Sequence, residues 1–183
     1  MTEMNPQIVS RVRHRLPEVL SKNAAESLLL RRAPGSTCID TRLVHHPYAG
    51  FVYFVEQQAF GSRLRGIAHV LVDLATGATA TSDPWLDPQG VAAGEEIETL
   101  VEPNINHVEA QINARQCAVR TALHRRRALI PLDVELTSSY AVLLKPNWLV
   151  QLALPDAGGR VDVLVDALNG GYHLMPSRPV PVV

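Results

Sequence analysis

The sequence has few cysteines and little net charge, and each scarcity excludes a class of protein. Its 183 residues include two cysteines, Cys38 and Cys117, which are too few for a disulfide framework and have no metal-site spacing. The net charge is −1, so no overall positive field would gather nucleic acid or anionic lipid. We therefore expect neither a disulfide scaffold nor a nucleic-acid-binding protein.

Long hydrophobic runs are also missing. No apolar stretch reaches the ~18 residues that a membrane-spanning helix needs. The first six residues, Met1 to Pro6, lack the basic and apolar regions of a secretory signal. We therefore expect a cytoplasmic protein without a membrane segment.

Motifs that carry chemistry are scarce as well. None of the seven histidines has the spacing of a zinc site, and neither a phosphate-binding loop nor a Gly-x-Ser-x-Gly elbow occurs. We therefore expect no metal, no cofactor and no catalytic residues. One alternative stays open: a small enzyme with a His/Asp site in a cleft between two repeats, using His69 or His45 beside a carboxylate.

A repeated segment is the most informative feature that is present. The stretch from His69 to Gly77 is echoed by the stretch from Asp162 to Gly170, with Val, Leu, Val, Asp and Gly in the same places. Such internal similarity predicts a duplicated architecture. Asp73 and Asp166, kept in both copies, are expected to accept backbone N–H bonds and pin two hairpins; an acid/base pair is the alternative.

Each half of the chain is predicted to fold as one helix followed by four strands. We expect an α+β protein of two tandem repeats, each an antiparallel meander with a helix across one face, packed as a pseudo-twofold unit. The predicted boundaries are residues 5–82 for the first repeat, 83–101 for an acidic linker rich in Pro and Gly, 102–176 for the second repeat and 177–183 for a flexible tail.

Hydrophobic spacing and prolines predict the elements within each half. A helical segment, kinked or divided near Pro17, is predicted from Pro6 to Arg32, and a second helix is predicted to begin at Glu102–Pro103. The second helix is expected to pack through a stripe formed by Ile105, Val108, Ile112, Val119 and Leu123. Small residues are expected to widen this stripe: Ala114, Cys117, Ala118 and Ala122. Pro47 and Pro146 are each predicted to separate two strands.

The hairpin sequences Val72-Asp73-Leu74-Ala75-Thr76-Gly77 and Val165-Asp166-Ala167-Leu168-Asn169-Gly170 resemble those of PepSY-like domains. The order of a helix and a meander also resembles the wider cystatin-like architecture. This resemblance implies protease inhibition or partner binding and brings no catalytic residues with it.

Aromatic residues suggest where a partner would bind. Five of the nine lie between Tyr48 and Phe60. One interpretation is a hydrophobic core; the other is a sheet face or groove that binds a protein segment or a small apolar ligand. We predict a non-enzymatic interaction or accessory module, with homodimerisation left open. Its candidate binding residues are Tyr48, Phe51, Tyr53, Phe54, Trp85 and Trp148.

Overall fold

The computed structural model describes residues 12–59, 62–85, 87–126, 132–155 and 159–175. Within them, two helices and eight strands form an α+β fold, which confirms the predicted class. The elements are β1 (Arg13–Arg15), α1 (Lys22–Arg32), β2 (Thr37–Ala59), β3 (Ser62–Asp73), β4 (Thr79–Ser82), β5 (Gln89–Gly90), α2 (His107–Arg126), β6 (Leu132–Ala153), β7 (Arg160–Asp166) and β8 (Tyr172–Leu174).

The strands form a sheet with the hydrogen-bonded order β4-β3-β2-β6-β1-β5, and β7 and β8 continue from β6. The pairs β2–β3, β3–β4, β6–β7 and β7–β8 are antiparallel, as the predicted meanders require. β1 departs from that pattern because it pairs with β6 in parallel and with β5 in antiparallel orientation. The segment predicted as a linker therefore supplies β5 to the sheet.

The chain divides into two compact units that are both assembled from distant segments. Unit 1 contains Met1–Leu16, Pro47–Gly94 and Val101–Leu144, whereas unit 2 contains Pro17–His46, Glu95–Leu100 and Lys145–Val183. In unit 1, α2 packs on β2 and β3. In unit 2, α1 packs on β6 and β7. Each helix thus covers strands from the opposite half of the sequence.

Capping residues set where the helices begin. The Oγ of Ser21 accepts a hydrogen bond from the Ala24 amide at 3.4 Å, and the Oδ1 of Asn106 accepts one from the Glu109 amide at 2.9 Å. α2 therefore starts at His107, four residues after Pro103, and not at Glu102–Pro103 as predicted. Among the described residues, neither helix is long and apolar enough to cross a bilayer.

Three further local predictions are wrong. Residues 13–15 form β1 and not a helix, because they pair with residues 142–144 of β6. β2 runs through Pro47 and β6 through Pro146 without interruption. A proline lacks only the amide donor, and the carbonyls of Pro47 and Pro146 still accept hydrogen bonds from the Leu74 and Ala167 amides.

The third error concerns the apolar stripe of α2. Ile105 and Val119 pack partly against the core, but Val108, Ile112 and Leu123 are exposed. The small residues Ala114, Cys117 and Ala118 of the predicted stripe do face the strands, together with Ala110, which was not predicted. The core of unit 1 is already filled by aromatic and branched residues of β2 and β3, so only small helix residues fit against it.

Candidate binding face on the sheet of unit 1

The strands of unit 1 have one face covered by α2 and one face that α2 does not cover. Phe51 pairs with Val70, and both are fully buried in the core beneath the helix. Successive side chains of a strand point to opposite faces. The neighbouring register pairs, Val52 with His69 and Phe54 with Ile67, therefore lie on the other face.

Phe54 and Ile67 form the most open apolar pair of that face. They are directly opposite each other in the β2–β3 ladder. Ile67 is 67% exposed, and Phe54 is half-buried. Two large apolar side chains at adjacent positions form an apolar patch that is in contact with solvent unless another molecule binds there.

Trp85 lies over the backbone of β2 at Gly50, four residues before Phe54. A Cβ atom at Gly50 would be 3.4 Å from Cζ2 and 3.5 Å from Cη2 of the indole, and 3.0 Å from Cδ2 of Leu143. Glycine at position 50 therefore leaves room for Leu143, which a Cβ atom would crowd, while the indole lies at ordinary van der Waals distance from the same position. The indole remains half-buried, so part of its surface is available to solvent.

Four rings form a continuous row that includes Trp85. The ring centroids of His69 and Trp85 are 5.0 Å apart, those of Trp85 and Tyr140 are 6.4 Å apart, and those of Tyr140 and His14 are 5.1 Å apart. All three pairs have edge-to-face geometry, with interplanar angles of 74–82°. This arrangement is favoured by the quadrupoles of aromatic rings. We call the row together with Phe54 and Ile67 the ring face.

Hydrogen bonding assigns a tautomer to one imidazole of the row. Nδ1 of His14 is 3.1 Å from the Val12 carbonyl, which can only accept. Nδ1 therefore carries the proton in the neutral ring, and Nε2 is left as an acceptor. The ring face thus combines apolar surface with at least one polar atom that can orient a ligand.

Charges at the edge of the ring face are paired. Glu56 lies two residues beyond Phe54 on β2, and its carboxylate is 2.7 Å from Nε of Arg65 and 3.6 Å from Nη1 of Arg63. Among the described residues, no group of three or more His, Cys, Asp and Glu side chains has the arrangement of a metal site. The surface that these residues form is suited to binding through apolar and aromatic contacts.

The structure separates the six residues predicted to bind a partner. Phe54 and Trp85 lie on the ring face, and Tyr48 is half-buried at the start of the β2–β3 ladder, opposite Asp73. Trp148 belongs to unit 2, where its indole N–H donates to the Leu20 carbonyl at 2.7 Å. Any role of these side chains in binding stays a prediction.

Phe51 and Tyr53 lie under α2 and not on the open face. The Tyr53 hydroxyl donates to the Gln111 carbonyl at 3.3 Å, and only 1% of this residue is exposed. Burial raises the pKa of the Tyr53 phenol to about 12, although the nearby Arg115 guanidinium lowers it in part. Contact between a ligand and either ring would require α2 to move away.

Sequence reasoning missed four members of the ring face. Ile67 could have been found, because strand alternation places it on the same face as His69. His14 and Tyr140 were not accessible in this way, since their approach depends on the pairing of β1 with β6. His69 was considered only as a catalytic candidate, and its ring packs against Trp85.

A comparison with protein-family models, curated proteins and solved structures finds no match to this chain.

Proposed function

We propose that the protein is a non-enzymatic interaction module that binds an apolar segment of a partner protein on the ring face. The observation that carries this proposal is the row of four half-buried rings beside the exposed Ile67 and its half-buried partner Phe54, on the sheet face that α2 does not cover. Burial of Ile67 and of the ring edges would supply the binding free energy, at about 25 cal/mol per Å² of apolar surface.

An extended protein segment fits the ring face better than a compact ligand. The row passes from β3 through the loop after β4 to β6 and β1, with successive centroids 5.0, 6.4 and 5.1 Å apart. An extended chain advances about 3.3 Å per residue, so several of its side chains could contact successive rings. The imidazole acceptor of His14 would receive a polar donor at one end.

The proposal also includes a duplicated origin for the two units. Their hairpins have equivalent backbone hydrogen bonds. The Leu74 amide donates to the Pro47 carbonyl, and the Ala167 amide donates to the Pro146 carbonyl. The segments before the helices also agree, since the Asn104 and Ile105 amides donate to Leu74 while the Val19 and Leu20 amides donate to Ala167. The resemblance to PepSY-like and cystatin-like units forms part of this hypothesis.

We also place the module in the cytoplasm. Both cysteines are free thiols, which is the usual state in a reducing compartment.

Selection of peptides tests the binding function. A phage-displayed library of random peptides would be selected on the full chain, with an Ile67→Asp variant for counter-selection and an Ile39→Asp variant as the matched control. Ile39 is an exposed strand residue of unit 2 (44%). We expect enrichment of apolar and aromatic peptides that bind the wild type and the Ile39→Asp variant but not the Ile67→Asp variant. Failure of enrichment, or peptides that bind all three proteins equally, would contradict the proposal.

Native mass spectrometry of protein purified from its own source addresses the other occupants. A co-purifying small molecule would show that the occupant of the ring face is an apolar ligand and not a protein segment. A homodimer that Ile67→Asp disperses would show that a second copy covers the ring face.

A further inference from the structure

The outer side of α2 has a second apolar surface that the ring face does not include. Val108 is 68% exposed, Ile112 is 54% exposed and Leu123 is 41% exposed. At about 100° per residue, the three lie within about 60° of one another around the helix axis. They form a narrow stripe along the side opposite Ala110, Ala114 and Cys117, which face the core.

Two arginines flank this stripe. Helical geometry places Arg115 along one edge and Arg120 beyond the other, and both residues are exposed. Among the residues that the structure describes, neither arginine has an ion pair. The acid of this helix, Glu109, lies in its first turn. It is on the Arg120 side of the stripe but about 9 Å from Arg115 and about 16 Å from Arg120 along the helix axis.

A shallow depression marks the C-terminal half of the same surface. It has a volume of about 460 Å³, and its described lining consists of Arg115, Gln116, Val119, Arg120 and Leu123. The depression thus joins the apolar stripe to both guanidinium groups. A side chain of a docked molecule could enter it while carboxylates approach the arginines.

We infer that this outer surface of α2 docks an acidic amphipathic helix of a partner protein. An apolar seam with a charged residue on either side is the pattern by which helices select partners of opposite charge. The arginine charges would be neutralised by carboxylates of the partner, and Val108, Ile112 and Leu123 would be removed from water.

Charge argues against a second copy of this chain as the occupant. Two α2 helices packed antiparallel through the same surface would bring Arg115 of one copy, which lies near the middle of the stripe, towards Arg115 of the other. Like charges brought together at an interface are unfavourable. A partner with carboxylates along its apolar stripe removes that repulsion.

The shape of the stripe argues against a membrane surface. Helices that lie in the bilayer interface bury a broad apolar side, which commonly includes Trp, Phe or Leu. The stripe of α2 is narrow and has no aromatic residue, and the opposite side of the helix is committed to the core.

Two designed peptides test this inference. Each would be a fluorescein-labelled amphipathic helix of roughly 20 residues, with leucine along one side and either glutamate or lysine along the other. Anisotropy titrations would use the wild-type chain, an Arg115→Glu/Arg120→Glu variant and an Arg31→Glu/Arg32→Glu control. The control reverses two exposed arginines at the end of α1.

We expect the wild type and the α1 control to bind the glutamate peptide and not the lysine peptide. Reversal of Arg115 and Arg120 should weaken binding of the glutamate peptide by about tenfold or more and permit binding of the lysine peptide. The gain of lysine-peptide binding also shows that the reversed variant is folded. Failure to bind the glutamate peptide, or equal binding by all three proteins, would overturn the inference.

Two further measurements identify the competing occupants. Binding to vesicles of phosphatidylcholine and phosphatidylserine that is lost on reversal would assign the surface to membranes. A dimer in light scattering that Ile112→Gln converts to a monomer would assign it to a second copy. The Ile67→Asp variant should still bind the glutamate peptide, so failure of this inference is distinguishable from failure of the ring-face proposal.

Discussion

Asp73 and Asp166 close two hairpins with the same hydrogen bond. The Oδ1 of Asp73 accepts from the Ala75 amide at 2.8 Å, and the Oδ1 of Asp166 accepts from the Leu168 amide at 2.8 Å. Four residues after each aspartate, Gly77 and Gly170 have the same positive φ of 76°. The two carboxylates therefore have a structural role in their hairpins, as the sequence predicts.

Replacement of Asp73 should destabilise its hairpin. Asp73→Ala removes the acceptor for the Ala75 amide and for the Thr76 amide, which lies 3.3 Å away. We expect a loss of about 1–2 kcal/mol in the free energy of unfolding, measured with urea, and a smaller loss for Asp73→Asn, which keeps an acceptor oxygen. Equal losses for the two variants would show that the oxygen is not the important group.

Asp166 should stabilise unit 2 through an ion pair as well as through its hairpin hydrogen bond. Its Oδ2 is 2.6 Å from Nζ of Lys145, and the two side chains are 14% and 21% exposed. Asp166→Ala should therefore lower the free energy of unfolding further than Asp166→Asn, which keeps a neutral acceptor oxygen for the Leu168 amide. A double-mutant cycle with Lys145→Met would measure the coupling, and a coupling of zero would contradict this explanation.

Substitution of Phe51 should destabilise the protein more than substitution of Phe54, although the two residues are only three positions apart. Phe51 is fully buried, so Phe51→Ala should cost about 3–5 kcal/mol of unfolding free energy. Phe54 is half-buried on the ring face, and Phe54→Ala should cost only about 1 kcal/mol. Chemical unfolding would measure both. A similar cost at the two positions would mean that Phe54 belongs to a core.

Gly50→Ala should displace Trp85. The new methyl group would meet the buried Leu143 side chain at 3.0 Å, which is too close, and the half-buried indole at 3.4 Å, so relief of the contact with Leu143 should move the indole. In a Trp148→Phe background Trp85 is the one remaining tryptophan. Adding Gly50→Ala to this background should shift the fluorescence emission of Trp85 to longer wavelength. Gly90→Ala is the control, because its Cβ would meet only Val12, at 3.9 Å. An unchanged spectrum in Gly50→Ala would show that Trp85 does not pack on β2.

His107 should make stability fall with acidification. Its ring stacks on Phe51 with centroids 5.4 Å apart, and burial lowers its pKa below the ordinary value of 6.5. The unfolded chain therefore binds the proton first as the pH falls. The contribution of neutral His107 is present above the unfolded pKa of 6.5 and is lost as the pH falls through the folded pKa. Melting temperatures at about pH 7.5 and 5.5 should differ less in His107→Leu than in the wild type; an equal difference would contradict the assignment.

The Tyr53 phenol should resist ionisation until strongly alkaline pH. Its pKa is about 12, because burial opposes the phenolate, while Arg115 favours the phenolate in part. Difference titrations of phenolate absorbance between the wild type and Tyr53→Phe would isolate this group. Arg115→Met should raise the pKa further, since the cation is removed. An unchanged pKa in Arg115→Met would show that Arg115 does not act on this phenol.

Local sequence signals predicted the turns and the C-terminal ends of the helices well. The hairpin at Thr76-Gly77 and the turn at Asn169-Gly170 are present, and α1 ends at Arg32 before a glycine of positive φ at position 35. These features depend on the conformational preferences of a few adjacent residues. Strand breaks at Pro47 and Pro146 were wrong because tertiary partners for the proline carbonyls are not visible in a local pattern.

The candidate surfaces could be predicted only in part. Alternation along β2 and β3 separates Phe51 from Phe54, but it does not show which side a helix will cover. The spacing of apolar residues in α2 is compatible with packing through either of its sides. Only the volume left between α2 and the strands decided that Ala110, Ala114 and Cys117 face the core.

The sequence by itself determined the α+β class, the two hairpins closed by Asp73 and Asp166 and the positions of most strands, because these follow from alternation and turn chemistry. The tertiary structure alone decided that α1 packs on β6 and β7 while α2 packs on β2 and β3. It also brought His14 and Tyr140 into one row with Trp85 and His69. Such contacts join residues far apart in the chain. Burial of apolar surface drives them, but because this effect has no preferred direction, a local sequence pattern does not show which helix will pack on which strands.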